Sequence, residues 1–167
     1  DGVIACGEFA GTPFSRFAAE HPEALGGNCA GAKEFPILIK LIDAAQFLSI
    51  QVHPDDDYAR RVEGGRGKTE MWYVVNCEPD AFLYFGFERE ISAEEMRRRI
   101  ANHTITEALH KAPVHKGDVF FIGAGTIHAI GAGILLAEIQ QNSNVTYRVY
   151  DYGRLGADGK PRQLHVA

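Results

Sequence analysis

The sequence predicts a mainly β fold, a barrel or sandwich interrupted by one short helical insertion. Three observations carry this expectation. Short apolar and aromatic runs of strand length recur along the chain, Gly-rich turns separate them, and one middle segment carries helix-start signals instead. The expected strands are Phe35 to Leu41, Phe47 to His53, Met71 to Val75, Ala81 to Phe85, Val119 to Ile122, Ile127 to Ile130, Ile134 to Gln140 and Val145 to Tyr150. Pro54-Asp55-Asp56-Asp57 reads as a turn, with a helical turn over Tyr58 to Val62 before the Gly64-Gly65-Arg66-Gly67 loop. Ser92-Ala93-Glu94-Glu95 is a capping box, and Ile91 and Met96 stand where a hydrophobic staple needs them. The insertion spans about residues 92–111, with a second short helix over Ile105 to His110. Near the start, Thr12-Pro13 predicts a helix running to about Glu20 and capped by Thr12.

Composition narrows the function. The 167 residues are 46% hydrophobic and 23% charged, enough for a domain with a real core. A net charge of −5 gives no basic footprint, which argues against a nucleic-acid partner. No apolar run reaches the roughly 18 residues of a membrane helix, and no signal peptide opens the chain. Cys6, Cys29 and Cys77 are odd in number and lack CxxC spacing, as expected of reduced thiols in a cytoplasmic protein. Asp1 lacks an initiator Met, and Leu164-His165-Val166-Ala167 is not a polar tail. The chain is therefore expected to be one domain over residues 1–167, and its ends suit a fragment or a processed chain.

The chemistry concentrates in a few strands. In an ideal strand Ser49, Gln51 and His53 share one face, and Leu48, Ile50 and Val52 share the other. Lys68 and Glu70 repeat this spacing. Unpaired buried polar groups cost about 1–3 kcal/mol each, so such a face points to a metal or a charged ligand. His53, Glu70 and Gln51 are candidate metal ligands, and His128, delivered by the Gly-rich turn Gly123-Ala124-Gly125, is the third strong one. Lys40, Lys68 and Arg148 lie in otherwise apolar or strand-like stretches, where inward cations suit a phosphate, with Ser49 as a further donor. Glu138 shares a face with Gln140 and is a candidate base, sugar-hydroxyl acceptor or orienting carboxylate. Arg97-Arg98-Arg99 reads as a solvated helix face.

Two levels of resemblance follow. Gly117 to His128 resembles the second motif of the cupin superfamily, with Gly123 in place of its Pro. More specifically, the chain resembles the type I mannose-6-phosphate isomerases, most closely their short bacterial form. The likeness is carried by Gln51-Val52-His53-Pro54-Asp55-Asp56, Gly67-Lys68-Thr69-Glu70-Met71-Trp72-Tyr73, Gly125-Thr126-Ile127-His128-Ala129, and the run from Glu138 to Tyr152. It implies a cupin-type jelly-roll (double-stranded β-helix) barrel. It also implies one Zn(2+) per chain on Gln51, His53, Glu70 and His128, a catalytic Arg148, and substrate contacts at Lys40, Ser49, Lys68 and Glu138. The implied reaction interconverts mannose 6-phosphate and fructose 6-phosphate through an enediol, with Glu138, Lys68 or a zinc-bound water as the proton shuttle. A small sugar phosphate is then the partner, with neither nucleic acid nor membrane. Two rival readings are a noncatalytic sugar-phosphate-binding cupin fragment and a non-haem iron oxygenase using His53, His128 and Glu70.

Overall fold

A computed structural model describes residues 2–29, 31–32 and 35–166. These fall into two compact units, Asp1–Leu38 and Ile39–Ala167. The first holds helix α1 (Phe14–Glu20) and a 3₁₀ turn (Pro22–Leu25). Thr12 does not cap α1: Pro13 is the N-cap residue, and no side chain bonds the first turn. Tilted rings of Phe9, Phe17 and His21, with centroids 4.8–4.9 Å apart, hold this unit together locally.

The second unit contains the β structure. Its strands are β1 (Ile37–Ala44, opening at the end of the first unit), β2 (Ile50–Val52), β3 (Glu70–Cys77), β4 (Phe82–Phe87), β5 (Leu109–Pro113), β6 (Val119–Ile122), β7 (His128–Ala129), β8 (Ile134–Gln141) and β9 (Tyr147–Tyr150). They form a four-stranded sheet, β1-β8-β3-β6, and a five-stranded sheet, β5-β4-β7-β2-β9. Trp72, Val74 and Leu136 of one sheet cluster with Leu83 and Ala112 of the other, so the two inner faces share a core. The cupin-type fold implied by the motifs is borne out.

Helices α2 (Asp56–Val62) and α3 (Ala93–Ala101) occupy two of the intervening segments. Asp55 caps α2, its side chain accepting from the Tyr58 N–H, so the helix begins earlier than the turn signals suggest. Ser92 caps α3 as expected, accepting from the Glu95 N–H. The expected helix over Ile105 to His110 is a 3₁₀ turn ending at Ala108, after which Leu109 enters β5. Arg99 is not solvated like its neighbours: it pairs with Glu95 at 2.9 Å and with Glu107 at 3.3 Å. The staple residues Ile91 and Met96 pack with Ile100, Ile105, Tyr84 and Val149, so the insertion roofs the outer face of the five-stranded sheet. The outer face of the four-stranded sheet is also apolar, yet Leu41 (76%), Phe121 (68%) and Val119 (57%) are largely exposed. Among the described residues no helix is long and apolar enough to cross a membrane.

Register explains where the core turns polar. Pairs across β3 and β8 run Cys77–Ile134, Val74–Leu136, Trp72–Glu138 and Glu70–Gln140. Val74, Leu136 and Ile134 belong to the apolar core, while Glu138, Gln140 and Glu70 are buried polar residues at the other end. The Leu48/Ile50 alternation expected here does not hold, because β2 begins only at Ile50 and Leu48 lies before it. Leu48 packs with the inter-sheet core, whereas Ile50 and Val52 join the cluster beneath the insertion.

Gly67 fixes the approach to β3. Its N–H donates to Asp56 Oδ1 at 2.9 Å, and the next residue's N–H donates to Pro54 O at 2.9 Å. A Cβ on Gly67 would lie 2.4 Å from the Asp55 carbonyl carbon, a backbone atom that cannot swing aside. Gly67→Ala is therefore expected to cost about 1–3 kcal/mol of stability, measured by denaturant unfolding. An unchanged unfolding midpoint would contradict this packing.

Candidate functional site

Three side chains from three strand segments meet at the polar end of the core. His53 follows β2, Glu70 opens β3 and His128 opens β7. One ligand-capable atom from each lies within 4.8 Å of the others, and all three residues are buried. His53 Nε2 is 3.2 Å and His128 Nε2 is 3.9 Å from the Glu70 carboxylate. Local hydrogen bonds explain the convergence. The turn before β7 places Gly125 at φ 83°, in the left-handed region, and donates its N–H to His53 O at 2.8 Å. The Gly-rich turn thereby ties the two histidine segments together.

The tautomers follow from the partners. His53 Nδ1 lies 3.2 Å from Val145 O, and His128 Nδ1 lies 2.9 Å from Thr126 O. A carbonyl only accepts, so both Nδ1 atoms donate and both Nε2 atoms of the neutral rings carry lone pairs. His53 Nε2 and His128 Nε2 are buried with no hydrogen-bond partner, and Glu70 Oε1, buried beside them, has an ion pair with Lys68 in place of a hydrogen bond. Lone pairs on two imidazoles thus face a carboxylate. That donor set fits a divalent metal ion, and the carbonyls behind the rings are the usual orienting partners of ligating histidines. Trp72 Nε1 donates to Glu70 Oε2 at 2.9 Å, and the Lys68 ammonium lies 2.7 Å from Oε1. Burial pushes the Glu70 carboxyl up, but the Lys68 ammonium beside it holds the group below the usual carboxylate range. Burial pushes His128 down to about 4, so its ring stays neutral at neutral pH.

Beside the triad lies a cavity of about 600 Å³. Lys40, Ser49, Gln51, Lys68, Glu138 and Arg148 all line it. Every sequence-predicted site residue therefore stands either in the His53–Glu70–His128 cluster or on this wall. Gln51 pairs in register with His128 on one side and Arg148 on the other. Lys40 Nζ donates to Glu138 Oε1 at 2.8 Å and also reaches Gln140 Oε1. Lys68 precedes β3, not within it, and is nonetheless 6% exposed. Arg148 donates from Nη1 to Gln163 O at 3.1 Å, while its Nε is buried without a partner.

Sequence reasoning missed Arg154, Arg162 and His165, which also line the cavity. Arg154 and Arg162 both grip Asp151, which is 4% exposed. Burial raises the Asp151 carboxyl, yet the two guanidiniums together hold it below its ordinary value. Two cations against one carboxylate leave this wall net positive. Arg-rich spacing after Asp151 was the available signal, but only the folded turn brings the three together.

Residues 4–79 match the family model described as phosphomannose isomerase type I, catalytic domain. Over 164 residues the chain is 44% identical to a mannose-6-phosphate isomerase of Streptococcus mutans, a match covering 98% of this chain and 51% of that protein. It is 47% identical over 148 residues to the mannose-6-phosphate isomerase ManA of Bacillus subtilis, covering 88% of this chain and 46% of that one. A crystal structure of the mannose 6-phosphate isomerase from Bacillus subtilis superposes with a TM-score of 0.88 at 40% identity, over 98% of this chain and 51% of that chain. The chain thus spans about half the length of the curated relatives it matches. The resemblance read from the motifs is borne out: residues 4–79 match the type I catalytic-domain model, and the chain is similar to mannose-6-phosphate isomerases along nearly its whole length.

Proposed function

We propose that this chain carries the active site of a zinc-dependent aldose–ketose isomerase that interconverts mannose 6-phosphate and fructose 6-phosphate. The observation that carries this reading is the juxtaposition of the inward-facing His53, Glu70 and His128 with a cavity walled by cations. A metal alone suits many cupin chemistries. A metal beside Lys40, Lys68 and Arg148 suits an anionic sugar and an intermediate that gains negative charge. That cationic wall disfavours the oxygenase reading, whose chemistry has no need of it.

His53, Glu70 and His128 would hold the ion, with Gln51 completing the set from the adjoining strand position. Zinc, when bound, supplies Lewis acidity without redox chemistry. The remaining work belongs to the side chains. Moving the carbonyl between C1 and C2 requires a proton to leave the carbon beside it and return to the other. Glu138 and Lys68 stand on the cavity wall as candidate proton carriers. The Lys40 ammonium holds the Glu138 carboxylate at 2.8 Å. The Arg148 guanidinium, planar and cationic on the cavity wall, suits oxyanion character on the enediol. Lys40 and Ser49 would secure the substrate. Both protonation states of the shuttle are regenerated within one turnover, so no co-reactant is consumed.

Three outcomes test this reading. Conversion of mannose 6-phosphate is expected to stop on chelation and return with zinc; binding without turnover in a zinc-loaded chain would instead support a binding module. Arg148→Ala is expected to lower kcat by several orders of magnitude with zinc retained, whereas Glu70→Ala should lose the metal, both read by metal analysis beside steady-state kinetics. A near-normal rate in the first or full metal content in the second would sink the respective assignment. The third concerns acidification of the metal-free chain. His128 has a folded pKa of about 4 against an ordinary 6.5, so the unfolded chain binds more protons between these values. Stability should therefore fall as pH drops from about 6.5 towards 4, and a flat thermal-unfolding profile across that window would contradict the buried neutral ring.

A further inference from the structure

The turn between β8 and β9 carries a buried serine whose hydroxyl has no freedom of direction. Ser143 is 8% exposed. Its Oγ lies 2.8 Å from Arg66 O and 3.3 Å from the Val145 N–H. The carbonyl can only accept and the amide can only donate, so the hydroxyl gives its proton to Arg66 and takes one from Val145. Each partner leads to the candidate metal centre. Val145 O accepts from His53 Nδ1 at 3.2 Å and so sets the ring's tautomer. Arg66 begins the short segment leading to Lys68 and Glu70, whose charges meet at 2.7 Å. Fully buried Gln140 fixes Ser143 from behind, donating to Ser143 O at 2.8 Å while its Oε1 accepts from Lys40.

We propose that Ser143 is a positioning residue for the metal centre: through one hydroxyl it sets the orientation of His53, by way of the Val145 carbonyl, and the approach of the Lys68–Glu70 segment, by way of Arg66. Ser143 itself touches neither the metal ligands nor the cavity. Its role rests on the metal-site reading above, and it explains why a polar residue is buried at a turn where Ala would pack as well. Removing the hydroxyl leaves the Val145 N–H and the Arg66 carbonyl to find new partners, so Val145 loses the anchor on one side of the residue whose carbonyl meets His53. Groups that orient a ligating histidine typically contribute 10–100-fold in metal affinity.

The test uses the whole chain and zinc alone, with affinity measured by competition against a chromophoric chelator and the unfolding temperature of the metal-free chain recorded beside it. Ser143→Ala is expected to weaken zinc binding about 10–100-fold. Ser143→Thr, which keeps the hydroxyl, should restore most of it. Ser143→Cys, close in size but a poor donor, should fall with Ala and serves if Ala does not fold. A lowered unfolding temperature with wild-type zinc affinity in the Ala or Cys variant would reduce Ser143 to a structural residue and overturn the proposal. Failure of the wild-type chain to bind zinc would be a different result, removing the metal-site reading and this proposal with it.

Discussion

Two imidazole lone pairs pointed at a buried carboxylate are the constraint around which this fold is arranged. In the neutral tautomers fixed by Val145 and Thr126, His53 Nε2 is an acceptor facing an acceptor, 3.2 Å from Glu70 Oε1. Unsatisfied buried groups cost about 1–3 kcal/mol each, so the two Nε2 atoms weigh noticeably against the net stability of an ordinary domain, about 5–15 kcal/mol. Lys68 offsets part of the carboxylate's burial by bringing an ammonium to it. Trp72 offsets more by donating to the second oxygen. What remains is a donor set that fits a cation, and a jelly roll whose apolar rows, Val74–Leu136 and Cys77–Ile134, lie at the far end from it.

The surroundings follow from that arrangement. Once Glu138 and Gln140 replace apolar residues on the inner face of β8, they need donors, and Lys40 from β1 supplies them. Lys40 thereby reaches the cavity with its ammonium held, and its stem is accommodated on a strand that is otherwise apolar. On the opposite wall, Asp151 gathers Arg154 and Arg162, and residues 163–165 run back along Arg148, whose backbone N–H donates to His165 Nδ1 at 3.0 Å. Each cation facing the cavity is thus braced by a partner behind it, which makes the positive wall a rigid one.

Much of this was legible in the sequence, and the boundary of legibility has a physical form. His53, Glu70 and His128 were readable because polar residues at strand spacing have no place in an ordinary core. Lys40 was readable for the same reason. The carbonyls of Val145 and Thr126 were not, since any residue supplies a carbonyl and only the loop path decides which one meets a ring. Arg154 and Arg162 were missed because surface arginines are common and their shared burial of Asp151 is a long-range fact. Leu48 was assigned to the wrong face because it precedes β2, which begins at Ile50, so the two-residue period of a strand does not reach it. The Thr12 cap failed because local propensity gave way to Pro13.

Trp72 gives the centre an optical consequence. It is the single tryptophan of the chain, it is fully buried, its indole N–H is bonded to Glu70, and its ring stands edge-on to His128 with centroids 5.3 Å apart. Every ultraviolet photon the chain emits from indole therefore originates within contact distance of two of the three convergent side chains. A change in charge or proton state at Glu70 or His128 acts directly on that excited dipole, with no second tryptophan to dilute it. The protein carries its own spectroscopic label at the place where its chemistry is concentrated.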